Sequence, residues 1–292
     1  MEIIEDDVDF SLYDNRGEWH KIRRASDWKT QLQERIESPE EFCGDTLPWQ
    51  KMEGFRLRKS EVTVWAGING HGKSMLLSHV MLHQMKSHEK RVVIASMEMT
   101  PVKTMERMLR QDSGGSSPTI QYAEKFSEWT NGKLWIYDHL GMVNADKMLA
   151  VVRYSISSMK CDHFVIDSLM KCGIQSDNYN GQKEFLNELC GIALETGVHI
   201  HLVAHARKGE RETNRLDKFD IKGASEITDQ VDNVVLIHRN KMKENDKTGK
   251  LEDEPDAFVA VAKQRHGDWE GTAGLWFDRE SMAYSSSHRR VF

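Results

Sequence analysis

Residues 67–74 read Gly-Ile-Asn-Gly-His-Gly-Lys-Ser, and this G-x-x-x-x-G-K-[ST] spacing constrains the chain more than any other feature. It follows an apolar, β-rich run and opens a segment of helical periodicity, the context in which such a turn works. Glycines let successive backbone N–H groups turn toward an anion, and the following helix N-terminus adds positive partial charge. Gly67, Asn69, Gly70, His71 and Gly72 form the expected phosphate-binding turn. Lys73 is placed to reach the β and γ phosphates, and the Ser74 hydroxyl to bind Mg²⁺. The competing reading, a chance Lys-Ser after a glycine-rich turn, does not explain the strand before it and the helix after it. ATP or another nucleoside triphosphate, with Mg²⁺, is the expected ligand.

The rest of the chain supports an α/β fold. From residue 61, short apolar runs at 61–66, 91–96, 134–137, 163–167, 198–204, 231–238, 257–263 and 275–277 alternate with amphipathic helical segments, the pattern of a parallel sheet with crossover helices. Thr100 with Pro101, and Asn144, mark helix starts, whereas Gly132 and Gly197 follow helix stops. The last strands lack long helices between them, so antiparallel partners are expected at the C-terminal end.

Ends of these strands carry the candidate chemistry. Glu98 follows the second strand, where a general base could polarise a water facing a γ phosphate; the bland alternative is a solvated acid or helix cap. Asp167 ends an apolar run, His163-Phe164-Val165-Ile166-Asp167, as a carboxylate that would order Mg²⁺. His205 ends the next apolar strand on the same edge, placed to hydrogen-bond a γ phosphate and report it to the loop that follows. That loop carries Arg207, Lys208, Arg211, Arg215, Lys218 and Lys222 against four acids, enough to touch a nucleic-acid backbone or simply to be a solvated surface. Lys171 sits in a second, weaker candidate loop at 170–181. Near the end, Lys263-Gln264-Arg265 closes a strand, and Arg265 could serve as an arginine finger for another subunit. His79 with His83, and His199 with His201, hint at metal spacing, but no carboxylate or thiol completes a site.

Composition excludes several classes. The 292 residues carry 40 Lys+Arg against 46 Asp+Glu, a net charge of −6, which argues against coating DNA by bulk charge while leaving room for local basic loops. No apolar run is long enough for a membrane span, and the acidic start is unlike a signal peptide, so a cytoplasmic location is expected. The four cysteines show no pairing pattern and are expected as buried thiols. Residues 1–17 form an acidic stretch expected to be poorly ordered. Ser26 is expected to cap a helix whose Trp28, Leu32 and Ile36 make one narrow apolar stripe, ending before Pro39. Residues 1–44 are thus expected as a tail and linker helix, docked on a neighbour or on the chain's own domain, and 45–292 as the nucleotide-binding domain.

Taken in order, these motifs resemble the RecA-fold hexameric helicases of the DnaB type, including the helicase half of phage primase-helicases and Twinkle. The resemblance runs through Gly67–Ser74, Glu98-Met99, Asp167, His205, the stretch from Asp220 to Asp232, and Lys263-Gln264-Arg265. It implies a RecA-like P-loop core with a short helical N-terminal arm, and a ring, hexameric or similar, on single-stranded DNA and forked duplex. Unwinding would run 5′ to 3′ in replication, with a separate primase and replisome proteins as partners. Lys263 and Arg265 would act in trans, Phe277 would lie beside the adenine, and the arm helix would pack on the adjacent subunit. Where phage relatives place an arginine this chain has Thr228, which puts a sensing role there in doubt. A phage origin would place the protein in the infected host's cytoplasm. The rival readings are a RecA-like recombinase filament and a regulatory DNA-binding ATPase.

Overall fold

Strand β1 (Val62–Gly67) is buried along its whole length, as are β2 (Val92–Ser96) and β4 (His163–Asp167). Apolar runs of this kind form strands covered on both faces. In the computed structural model, which describes residues 22–39, 43–175, 178–206 and 224–288, they belong to one nine-stranded sheet of order β3-β2-β4-β5-β1-β6-β7-β8-β9. The remaining strands are β3 (Leu134–Ile136), β5 (His199–His205), β6 (Asn233–Arg239), β7 (Ala257–Gln264), β8 (Thr272–Asp278) and β9 (Ala283–Ser285). β1 to β6 pair in parallel, and β6 to β9 pair antiparallel, as expected where the intervening helices disappear.

Chain division gives two units, Met1–Cys43 and Gly44–Phe292. In the first, a 3₁₀ turn (Ala25–Trp28) runs into α1 (Lys29–Glu37) without a side-chain cap, so Ser26 lies inside the turn and does not cap the helix as expected. α1 ends at Glu37, ahead of Pro39, and its Trp28, Leu32 and Ile36 are 48%, 60% and 70% exposed. The acidic residues 1–17 lie outside the described residues.

Within the larger unit the helices are α2 (Lys73–Ser87), α3 (Pro101–Ser113), α4 (Ile120–Thr130), α5 (Ala145–Met159), α6 (Tyr179–Thr196), α7 (Ala224–Gln230) and α8 (Lys241–Asn245). Thr100 and Asn144 cap α3 and α5 by accepting backbone N–H bonds, and Gly197 ends α6 in the left-handed conformation. Because strand side chains alternate between faces, Val62, Val64 and Ala66 join one core with Phe164, Leu202 and Leu186, while Trp65 joins the other with Leu76, Met81 and Val235. Cys161 and Cys172 are buried and Cys190 partly so, but Cys43, expected inside, is exposed. The 170–181 segment is shorter as a loop than expected, because a 3₁₀ turn occupies Leu169–Lys171 and α6 begins at Tyr179.

The sequence pattern does not show β9, yet this strand ties the first residues of the unit to the last. Trp49, 2% exposed, donates its indole N–H to the Tyr284 carbonyl at 2.9 Å and packs edge-on against His79 of α2. Trp49→Phe keeps most of the ring volume but leaves that carbonyl without its donor, which is expected to cost about 1–3 kcal/mol. Thermal melts check this, with a fall of roughly 2–4 °C per kcal/mol expected for a domain of this size; an unchanged melting temperature would mean that the carbonyl has found another partner.

Candidate active site

Four parallel strands deliver their C-terminal ends to one edge, and the register sets the site. Ser96 lies opposite Asp167 across β2 and β4, and Gly67 lies opposite His205 across β1 and β5. The loop after Gly67 turns sharply: Gly70 and Gly72 have φ of +80° and +84°, the left-handed region that favours glycine. A Cβ on Gly72 would fall 2.5 Å from the Tyr284 hydroxyl, whereas one on Gly70 would meet nothing within 4 Å, so the loop is backed by β9 and open in front.

Lys73, the first residue of α2, turns its ammonium back onto the loop and donates to the Gly67 and Ile68 carbonyls at 2.9 and 3.1 Å. Burial pulls its pKa down to about 8, against the opposing pull of Asp167 and Glu98. The Ser74 hydroxyl hydrogen-bonds the Asp167 carboxylate, which burial, reinforced by the charge of Glu98, shifts to higher pKa. Two hard oxygens, one carboxylate and one hydroxyl, held together behind a glycine-rich loop suit a Mg²⁺ ion that also binds phosphate, and the open loop suits the phosphates themselves.

Glu98 lies across the same cleft as Lys73, Ser74, Asp167 and His205. Ser168 donates its hydroxyl to Glu98 Oε1 at 3.4 Å and lies 3.3 Å from His205 Nε2, so one serine joins the two candidates. Sequence reasoning missed Ser168, although its place beside Asp167 was the available signal. It also missed Arg107 of α3, which lines the cleft, faces Asp167 electrostatically and donates to Met99 Sδ at 2.7 Å. Arg239 went unnoticed too; its guanidinium reaches the Gly70 carbonyl at 3.4 Å from the end of β6.

Other expectations land differently. Asn69 and Gly70 face the cleft, but His71 is 2% exposed and its Nδ1 accepts the Arg239 backbone N–H, so its side chain braces the loop from behind. Lys171 lines the cleft itself. Phe277 on β8 packs against Tyr284 with ring centroids 5.0 Å apart, on the side of the sheet that backs Gly72. Lys263 and Arg265 are not in the cleft. They lie at the other edge of the sheet, where Asn233 pairs with Gln264, roughly 17 Å of strand below the loop. Arg207, Lys208, Arg211, Arg215, Lys218 and Lys222 lie outside the described residues.

Comparison with known proteins gives the family and the fold. Residues 50–286 match the model of the DnaB-like helicase C-terminal domain. The chain is 25% identical over 205 residues to a DNA helicase/primase of Enterobacteria phage T3, covering 63% of this chain, and 22% identical over 272 residues to a Twinkle homolog protein, chloroplastic/mitochondrial, of Arabidopsis thaliana, covering 84%. It spans 36% of the length of each of these relatives. Among solved structures, one ATPase domain superposes with a TM-score of 0.75 at 16% identity, covering 90% of this chain and 99% of that one. A DnaB-like replicative helicase, solved to show its interactions with primase, gives 0.73 at 15% identity, covering 94% of this chain and 71% of that one. The match over most of the chain, on a fold whose sheet edge gathers Lys73, Ser74, Glu98 and Asp167, makes this protein a member of the DnaB-like helicase C-terminal domain family.

Proposed function

We propose that the chain is the ATP- and Mg²⁺-dependent motor of a replicative DNA helicase, a homo-hexameric or similar ring that moves on single-stranded DNA and unwinds a forked duplex 5′ to 3′. Bound Mg²⁺ would supply charge neutralisation on the phosphates. Lys73 leaves the loop carbonyls for the β and γ phosphates, Ser74 and Asp167 hold the ion, and Glu98 orients the attacking water and takes its proton. His205 reads the γ phosphate. Phe277 stands beside the nucleotide base.

The observation that carries this reading is the hydrogen-bonded run Glu98–Ser168–His205, which ends two residues before Arg207, where the cationic segment begins. A change at the γ phosphate is then felt where Arg207, Lys208, Arg211, Arg215, Lys218 and Lys222, with Lys171, are proposed to grip the DNA backbone. Arg265 and Lys263, on the far edge of the sheet, are too distant to serve their own cleft and suit a neighbour's. The exposed stripe on α1 suits docking of the arm, residues 1–44, on an adjacent subunit, with residues 45–292 as the motor. A separate primase and other replisome proteins would complete the machine, in the cytoplasm or in that of an infected host. Among the described residues, no helix is long and apolar enough to cross a membrane.

Strand displacement on a forked duplex with a 5′ single-stranded tail, with phosphate release read from the same tube, tests the proposal. Displacement that requires ATP and Mg²⁺ is expected. DNA-stimulated hydrolysis without displacement, together with open helical filaments by electron microscopy, would replace the helicase with a recombinase; hydrolysis indifferent to DNA would replace it with a regulatory ATPase.

A further inference from the structure

At the edge of the sheet opposite the cleft, one aspartate makes four connections, two through its carboxylate and two through its backbone. Asp232, 7% exposed, accepts the Val62 backbone N–H on Oδ2 at 2.9 Å, and its own N–H returns to the Val62 carbonyl at 3.1 Å. It is thus clamped to the first residue of β1, the strand that carries the phosphate loop at its other end. Its second oxygen, Oδ1, pairs with Arg265 Nη1 at 3.1 Å, while its carbonyl accepts the Arg265 backbone N–H at 2.9 Å.

The two cations of the Lys263-Gln264-Arg265 strand end share a further partner, the C-terminal end of α7. Arg265 Nη2 donates to the Asp229 and Gln230 carbonyls, both at 3.3 Å, and Lys263 Nζ donates to those of Thr228 at 2.7 Å and Val231 at 2.8 Å. Thr228, Asp229 and Gln230 supply the last carbonyls of the helix, where the backbone dipole is negative, and Val231 supplies the one just beyond it. The Arg265 side chain nonetheless remains 44% exposed. An ion pair this open contributes little to stability, yet it removes rotamer freedom from a long side chain that must meet a partner in one geometry.

We propose that Asp232 is the positioning residue for Arg265: it fixes the guanidinium, with the α7 carbonyls, in the orientation in which it is presented to the adjacent subunit's nucleotide. This rests on the reading that Arg265 acts in trans. Asp232 itself touches no substrate; it acts through Arg265. Because Arg265 and the α7 carbonyls share that cradle, the finger is also tied to the helix that follows the cationic 207–222 segment.

Mixed rings separate the two claims. Asp232→Asn keeps an oxygen for the Val62 N–H and removes the charge facing Arg265, so it is expected to bind nucleotide normally and lose turnover. Mixed one to one with Glu98→Gln, which has an intact finger and a dead cleft, it should recover to about a quarter of wild-type hydrolysis, the share of interfaces that pair a good cleft with a good finger. Arg265→Ala mixed with Glu98→Gln is the reference. Recovery with Arg265→Ala but not with Asp232→Asn would overturn the role of Asp232, as would wild-type turnover of Asp232→Asn alone. Recovery in neither mixture would overturn action in trans. Should Asp232→Asn fail to fold, Asp232→Glu, which keeps the charge but displaces it, is expected to lose turnover and recover in the same way.

Discussion

Glu98→Gln is expected to leave nucleotide binding intact and to lower single-turnover phosphate release about a thousandfold, within the usual range for losing a general base. The amide has the shape of the carboxylate but can neither take a proton from water nor carry charge toward the γ phosphate. Binding is expected to survive because the groups proposed to carry it are untouched: Lys73 beside the Gly67 and Ile68 carbonyls, and Ser74 with Asp167. Ser168, which now donates to Glu98 Oε1, can still donate to the amide oxygen, so the local fold is expected to hold. The Asp167 carboxyl, which the charge of Glu98 pushes upward, should move back toward its ordinary range. A fluorescent-nucleotide titration beside a rapid-quench time course reads both quantities. Hydrolysis at the wild-type rate would remove Glu98 from the chemistry. Loss of both binding and hydrolysis would instead make it part of the phosphate cradle.

How much of this site could be read from the sequence depends on whether a residue's role follows from its own strand or from what lies across from it. Gly67–Ser74, Glu98, Asp167 and His205 each follow an apolar run, and a parallel sheet brings the ends of such runs to one edge. Ser168 gains meaning only because β4 and β5 place it between Glu98 and His205. Arg107 lies within a helix, where nothing local separates it from Arg110, which instead binds the Glu280 carbonyl. His71 fits the loop spacing, yet packing against β6 turns it away from the cleft. The three residues of β9 are too few for periodicity to reveal, and only pairing with β8 makes them a strand.

The histidines show the same limit and lead to the second large effect. His199 and His201 stand on one strand face, but neither is arranged for a metal, and no group of three or more His, Cys, Asp or Glu among the described residues could hold one. The Trp65 indole donates to His201 Nδ1 at 3.1 Å, which leaves His201 Nε2–H to donate to His163 Nδ1 at 3.0 Å and His163 Nε2 to face Asp45 at 3.7 Å. His199 gives its Nδ1 proton to the Arg58 carbonyl at 2.5 Å and accepts from Thr63 on Nε2 at 2.8 Å. Both nitrogens of each ring are therefore spent, and a proton added to His201 Nδ1 would meet the indole N–H head on. Burial pulls His199 down to about 3 and His79 to about 4, and drives His201 well below its ordinary value. Unfolded, all three take protons near pH 6.5; folded, they do not. Stability is therefore whole above pH 6.5 and falls as pH drops toward the folded values, by about 2 kcal/mol at pH 5 for each of His199 and His79. His199 and His79 together make roughly 4 kcal/mol, a large fraction of the stability of a typical domain, and His201 acts in the same direction. Glu61 and Asp167, whose carboxyls burial shifts upward, oppose the trend as pH 5 is approached. Urea unfolding at several pH values between 5 and 7 is expected to show stability falling with a slope that reports up to about three extra protons on the unfolded chain. A flat profile would mean that these rings titrate in the fold as they do in water, and that the Trp65–His201–His163 order of donors and acceptors does not persist in solution.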